Sequence, residues 1–93
     1  MSPDIGSTLR FLRESVLEAS QVKLCEAIDM SQTHLSLVEG GTYTAGPTML
    51  GRLEKLLGID LYVLSWMEEQ DDARYEDMMA EMRAKAKKRW NER

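Results

Sequence analysis

The 93-residue chain contains very little cysteine, histidine or proline. The single cysteine, Cys25, excludes an intrachain disulfide, and one cysteine with one histidine provides too few ligands for a zinc site. No apolar run is long enough to cross a membrane, and the N-terminus lacks the basic-then-apolar pattern of a signal peptide. We therefore expect a cytoplasmic protein with one domain and a short extension, with no metal and no cofactor.

Basic residues are also fewer than acidic ones. Twelve Lys and Arg stand against sixteen Asp and Glu, which gives a formal net charge of −4. Because neutralising phosphates requires Lys and Arg, this balance argues mildly against nucleic-acid binding. A function of that kind must therefore be supported by the pattern of residues rather than by charge.

Apolar residues recur at helical spacing along most of the chain, and no segment has the pattern of a strand. Gly6-Ser7, Ser20, Ser31 and Asp60 are candidate helix caps, and Pro47 suits the first position of a helix. The pattern predicts an all-α fold with five short helices, at residues 8–17, 21–28, 32–39, 47–57 and 61–67.

The second and third predicted helices have one apolar face each and are joined by only three residues. This is the pattern of a helix-turn-helix, here spanning 21–39. Leu24 and Ile28 are expected to pack against Leu35 and Val38, so the inner face of each helix is used for packing. The outer face of the third helix then presents polar and small apolar side chains that suit the edges of DNA bases, namely Gln32, Thr33, Ser36 and Leu37.

These residues, with others in the same order and spacing, resemble the Cro/C1-type (phage-repressor-like) helix-turn-helix regulators. The resemblance covers residues 8–66, about two-thirds of the chain. It is carried by Leu12-Arg13, Ser20-Gln21, Leu24, Ser31, Leu35-Ser36, Glu39 with Gly41, Pro47, and residues 53–59.

The resemblance implies a role for several individual residues. Gln21 matches a contact to a DNA phosphate at the start of the second helix. Arg13 and Glu39 match a partly buried ion pair with a structural role. The other residues expected to bind DNA are Gln32, Thr33, Ser36 and Leu37 at recognition positions of the third helix, His34 beside them as a phosphate contact, Ser31 at the cap of that helix, and Thr42, Tyr43 and Thr44 in the loop after it.

The chain departs from the family pattern in three places. The connection between the first two helices, residues 15–19, looks one residue too long. Asp29 stands where glycine is usual. The loop after the third helix lacks the expected Lys or Arg, so phosphate contacts are left to hydroxyl groups, backbone N–H groups and helix N-termini.

After an acidic connector at 68–72, residues 73–90 contain strong helix formers and no Gly or Pro. They predict a long amphipathic helix that either folds back on the domain or pairs with a second chain. We favour pairing, and divide the chain into a DNA-binding domain at 1–67 and a dimerisation helix at 68–93. The basic end of this helix has three open alternatives: DNA flanks, an antiparallel partner, or a favourable charge at a helix C-terminus. The residues expected at the dimer interface are Tyr62, Trp66, Tyr75, Met78, Met79 and Met82.

The resemblance implies a homodimeric repressor, of the kind common on plasmids and phages, that binds a palindromic operator in double-stranded DNA. An antitoxin or a controller protein of a restriction-modification system would use the same module. A different alternative is a protein-interaction module that has lost DNA binding, which the missing basic loop favours. No catalytic residues, no small-molecule ligand and no membrane partner are expected, because the sequence shows neither an acid-base pair, nor a nucleophile with its base, nor a phosphate-binding glycine loop.

Overall fold

The computed structural model describes residues 4–93, and all regular structure in that part of the chain is helical. This confirms the all-α prediction. None of the helices in residues 4–93 is long and apolar enough to cross a membrane. The elements are α1 (Ile5–Phe11) continuing into a π-helical segment (Leu12–Leu17), α2 (Gln21–Ile28), α3 (Gln32–Glu39), α4 (Pro47–Leu57), α5 (Leu61–Gln70), a 3₁₀ turn (Ala73–Tyr75) and α6 (Glu76–Asn91).

The bounds of α2 and α3 agree with the sequence prediction because each helix has a local cap. The Ser20 hydroxyl accepts a hydrogen bond from the backbone N–H of Lys23 at 3.1 Å, and the Ser31 hydroxyl accepts one from His34 at 3.1 Å. Each cap satisfies an N–H group that the helix itself leaves without a partner. Gly58 ends α4 with φ at 73°, a conformation that glycine adopts without steric cost.

The first helix starts earlier than predicted. Asp4, rather than Gly6-Ser7, is its cap, and accepts hydrogen bonds from the backbone N–H and the hydroxyl of Ser7. These bonds hold the pKa of Asp4 below its usual value. Gly6 instead lies inside the helix against α3, where an added Cβ would collide with the carbonyl oxygen of Val38. The glycine therefore permits close packing of α1 on α3.

The extra residue between the first two helices is absorbed by the π-helical segment. The backbone N–H groups of Glu18 and Ala19 both donate to the carbonyl oxygen of Arg13, the second at 2.9 Å. A π-helical turn holds one more residue than an α-helical turn, so α2 keeps its position although the connection is longer. Glu18 closes the segment in a left-handed conformation with φ at 54°.

α5 extends three residues beyond the predicted end at Met67. Met67 is buried, and Glu68 in the following turn accepts hydrogen bonds from the hydroxyl of Thr8 and from Arg83. Glu68 thereby joins α5 to both α1 and α6. The predicted connector at 68–72 is correspondingly reduced, and its last residue, Asp72, caps the 3₁₀ turn.

α6 folds back on the rest of the chain and packs against α4, α5 and the π-helical segment. Ala86 is completely buried, and Met79, Met82 and Trp90 pack partly buried against the same core. This corrects our preference for pairing along the whole stripe, because Met79 and Met82 face the chain's own domain. One apolar core therefore includes residues of α6 as well as those of the first five helices.

Candidate nucleic-acid interface

α2 and α3 form a rigid corner whose inner faces are buried. Leu24 and Leu35 are fully buried, and Ile28 and Val38 are nearly so. Burial also raises the pKa of the neighbouring Cys25 thiol, which favours its neutral form. The predicted inner faces of both helices are confirmed, so their outer faces remain free for another role.

The three-residue turn between the helices is held by a residue that the sequence pattern did not indicate. Asp29 adopts a left-handed conformation with φ at 53°, the conformation for which glycine is usual. Arg52 of α4 donates hydrogen bonds to the carbonyl oxygens of Ile28 at 3.1 Å and Asp29 at 2.7 Å. These carbonyls lie at the end of α2, so Arg52 satisfies acceptors that the helix leaves without a partner. No local spacing links Arg52 to this turn, because the contact depends on the packing of α4.

The predicted ion pair between Arg13 and Glu39 is present and buried. Arg13 donates through Nε and Nη2 to the two carboxylate oxygens of Glu39, at 2.7 and 2.9 Å, and through Nη1 to the carbonyl oxygen of Ala19 at 2.9 Å. The hydrogen bond with Glu39 is the main reason why the pKa of Arg13 is raised. The pair therefore joins the π-helical segment to the end of α3.

The hydrogen bonds continue from this pair to the outer face of α3. Gln21, at the first position of α2, donates its amide Nε2 to Glu39 at 3.0 Å. Gln32, at the first position of α3, directs its own Nε2 at the amide oxygen of Gln21, at 3.5 Å. A chain of side-chain contacts therefore runs from the buried Arg13 to the exposed Gln32, and fixes the relative orientation of the two glutamines.

The residues expected to read bases lie together on one surface. Gln32, Thr33 and Ser36 are exposed, and Leu37 is half-buried. With Gln21 they line a shallow groove between the start of α2 and the outer face of α3, which we call the recognition groove. Ser31 is exposed at the start of α3, and its hydroxyl is already used as the helix cap.

The loop after α3 lies beside the same surface. The backbone N–H groups of Thr42 and Tyr43 both donate to the carbonyl oxygen of Leu37, at 2.9 and 3.1 Å. The ring of Tyr43 packs against the ring of His34, with 5.8 Å between their centroids. Thr42, Tyr43 and Thr44 are all exposed. Their hydroxyl groups are therefore placed next to the groove without a charged side chain among them.

The recognition groove is polar but carries no net charge of its own. Its five residues include neither Lys nor Arg. Nearby, Arg10 is exposed but pairs with Glu14 at 2.9 Å, and Lys23 is exposed on α2. A phosphate at this surface would therefore be bound mainly by N–H and O–H groups.

A second exposed surface lies where α5 meets the 3₁₀ turn and α6. Tyr62, Trp66 and Met78 expose 48%, 41% and 48% of their surface. The ring of Tyr75 packs edge-on against Trp66, with 5.5 Å between centroids. We call these four residues the aromatic patch: Tyr62, Trp66 and Met78 are the part of the predicted dimer interface that the fold leaves exposed, and the half-buried Tyr75 lies beside them.

Comparison with protein-family models, curated proteins and solved structures finds no match for this chain. Within residues 4–93, no group of three or more His, Cys, Asp or Glu side chains is arranged to hold a metal ion. The function must therefore be inferred from the residues and their geometry.

Proposed function

We propose that this chain is a sequence-specific DNA-binding regulator with a Cro/C1-type helix-turn-helix, which places α3 in the major groove. The observation that carries the proposal is the recognition groove on the corner formed by α2 and α3. Two eight-residue helices bury one face each and leave an uncharged, hydrogen-bonding face outside. The major groove admits one α-helix and is read through such donors and acceptors.

Gln32 is the residue best placed to select a base. Its Nε2 is directed at Gln21, so its amide oxygen and its second N–H remain for a ligand. One donor and one acceptor side by side match the N7 and N6 groups of adenine. Thr33 and Leu37 provide methyl groups for a thymine in the same groove. We infer that adenine and thymine dominate the recognised half-site.

Phosphate contacts come from the ends of the recognition surface. The free N–H groups at the start of α2, beside Gln21, suit a phosphate oxygen, as do the hydroxyl groups of Thr42, Tyr43 and Thr44. Because such contacts add little net positive charge, binding through this surface alone depends weakly on salt concentration. Affinity is then limited unless two copies bind together.

The aromatic patch is the proposed contact between two copies. Aromatic and methionine side chains are enriched at the centre of protein interfaces, and this patch combines both types. A two-fold dimer would present two copies of α3 about 34–36 Å apart on a palindromic site. Repression then follows from occupying a promoter, which is the mode that the resemblance implies.

Selection of binding sites from a random duplex library tests this proposal. We expect enrichment of a palindrome rich in A·T pairs. Trp66→Gln should lower the sedimentation mass from dimer to monomer and weaken palindrome binding while leaving the circular dichroism spectrum unchanged. Leu50→Gln, a half-buried position on α4 outside the patch, serves as a control for loss of apolar surface.

A protein-interaction module that does not bind DNA is the second candidate, and the missing cations of the recognition groove favour it. The same selection separates the two. A module of this kind enriches no sequence and binds random duplex no better than an acidic control protein of the same charge.

A further inference from the structure

The last part of α6 carries an unusual share of the chain's positive charge. Residues 83–93 contain six of the twelve Lys and Arg and a single acidic residue, Glu92, a local charge of +5. The other residues contain six basic and fifteen acidic groups, a charge of −9, and the two parts give the total of −4. The chain is therefore strongly divided in charge, which the net value conceals.

The fold gives two of these cations structural roles. Arg83 pairs with Glu68 at 2.7 Å and stacks on the ring of Phe11. Arg89 donates to the carbonyl oxygen of Lys55 at 2.9 Å, at the end of α4. The exposed cations that remain are Lys85, Lys87, Lys88 and Arg93.

Lys87 lies on the side of α6 that faces the start of the helix-turn-helix. Its Nζ is 3.8 Å from the carboxylate of Glu18, and both side chains are largely exposed. Glu18 is two residues before Ser20, the cap of α2, where the proposed phosphate contact begins. Because an exposed pair at this distance contributes little to stability, Lys87 can exchange Glu18 for another anion.

Lys85 lies on the opposite side of α6. A Cβ added to Gly58 would approach its side chain closely, so Lys85 is placed at the end of α4. Ala86 is buried between the two sides, since successive residues of a helix are about 100° apart. Lys87 is therefore directed toward the α2 side, away from Lys85, whereas Lys88 is directed outward and lies nearer to Lys85 than to Lys87.

We propose that Lys87 binds a backbone phosphate of the DNA that flanks the major-groove site. This inference rests on the proposed function. It adds what the recognition groove lacks: positive charge, brought beside Glu18 near the start of α2 by a helix outside the five-helix unit. Lys87 also offsets the Glu18 carboxylate, which would otherwise repel a phosphate next to the start of α2.

The test uses the variant Lys87→Gln and the selected palindrome within a longer duplex. Each phosphate contact contributes about 0.9 to the slope of log affinity against log salt concentration, so the two Lys87 side chains of a dimer contribute about 1.8. Raising salt from 50 to 200 mM should therefore weaken the wild-type protein about 12-fold more than the variant. Trimming the flanking base pairs should reproduce this change in the wild-type protein and have no effect on the variant.

Lys85→Gln is the matched control, because it removes the same charge from the other side of α6. It should keep the wild-type salt slope. Equal slopes in all three proteins, with the palindrome still bound, would overturn the inference and leave the proposed function intact. Failure of the wild-type protein to bind any duplex overturns both.

Adding Glu18→Gln to the Lys87→Gln variant separates two explanations. Either Lys87 contacts a phosphate directly, or it acts only by neutralising the Glu18 carboxylate. Direct contact predicts that Glu18→Gln does not restore the salt slope of the Lys87→Gln variant. Full restoration, or conversion of that variant from dimer to monomer in sedimentation, would show that Lys87 acts through Glu18 or through a second copy, and would overturn the proposed phosphate contact.

Discussion

Replacing Arg13 by Met tests the ion pair that connects the π-helical segment to α3. Arg13 is 7% exposed and donates two hydrogen bonds to Glu39, one to Ala19, and a longer one of 3.2 Å to Glu14. Methionine fills a similar volume but has no donor. The Glu39 carboxylate, whose side chain is 3% exposed, would then keep Gln21 as its hydrogen-bond donor.

Removing one partner of a buried ion pair costs about 3–5 kcal/mol, because the other charge remains without compensation. A domain of this length has a free energy of unfolding of about 5–14 kcal/mol. The substitution therefore removes a large part of the stability. At about 4 °C per kcal/mol, the smaller cost already lowers Tm by about 12 °C.

Urea unfolding followed by circular dichroism at pH 7 measures this cost. Arg13→Met/Glu39→Met should cost less than Arg13→Met alone. Arg10→Met, which removes an exposed pair with Glu14, is the control and should cost under about 1 kcal/mol. A cost for Arg13→Met equal to that of the control would refute the reasoning.

Four further substitutions test the backbone and a helix cap. Gly6→Ala should destabilise the fold by about 3 kcal/mol, because the added Cβ meets the Val38 carbonyl. Gly51→Ala, on the open side of α4, should stabilise the fold by about 0.4–1 kcal/mol. Chemical unfolding compares the two variants. Asp29→Gly should stabilise by up to about 1 kcal/mol, since φ is 53°, and an unchanged or lower Tm would contradict this. Asp4→Asn should be less stable than wild type at pH 7. The difference should disappear as pH falls below about 4, because the lowered pKa of Asp4 adds stability only while the carboxylate is charged.

Local signals in the sequence were sufficient for the helix-turn-helix. Ser20 and Ser31 each cap a helix through a residue three positions away, and the inner faces of α2 and α3 follow from the spacing of apolar residues. The Arg13–Glu39 pair was implied by the resemblance rather than by spacing, since the two residues are 26 positions apart. Short-range features of the site could therefore be predicted directly, and long-range ones only through a known pattern.

Features that depend on packing could not be predicted. The π-helical segment has no sequence signature, and the extra residue at 15–19 indicated only that some adjustment was needed. The Met stripe of α6 required an apolar partner, but its spacing is the same whether that partner is a second chain or the chain's own core. Arg52 and Gly6 act across helices, so neither was recognisable before the helices were brought together.

Binding of Gln32→Ala to the selected palindrome and to random duplex of the same length tests the central claim most directly. If α3 reads bases, the variant loses about 1–3 kcal/mol per half-site on the palindrome and its preference at one base pair, while random duplex is bound as before. An equal loss on both duplexes would contradict a base-reading role for Gln32 and for the recognition groove to which it belongs.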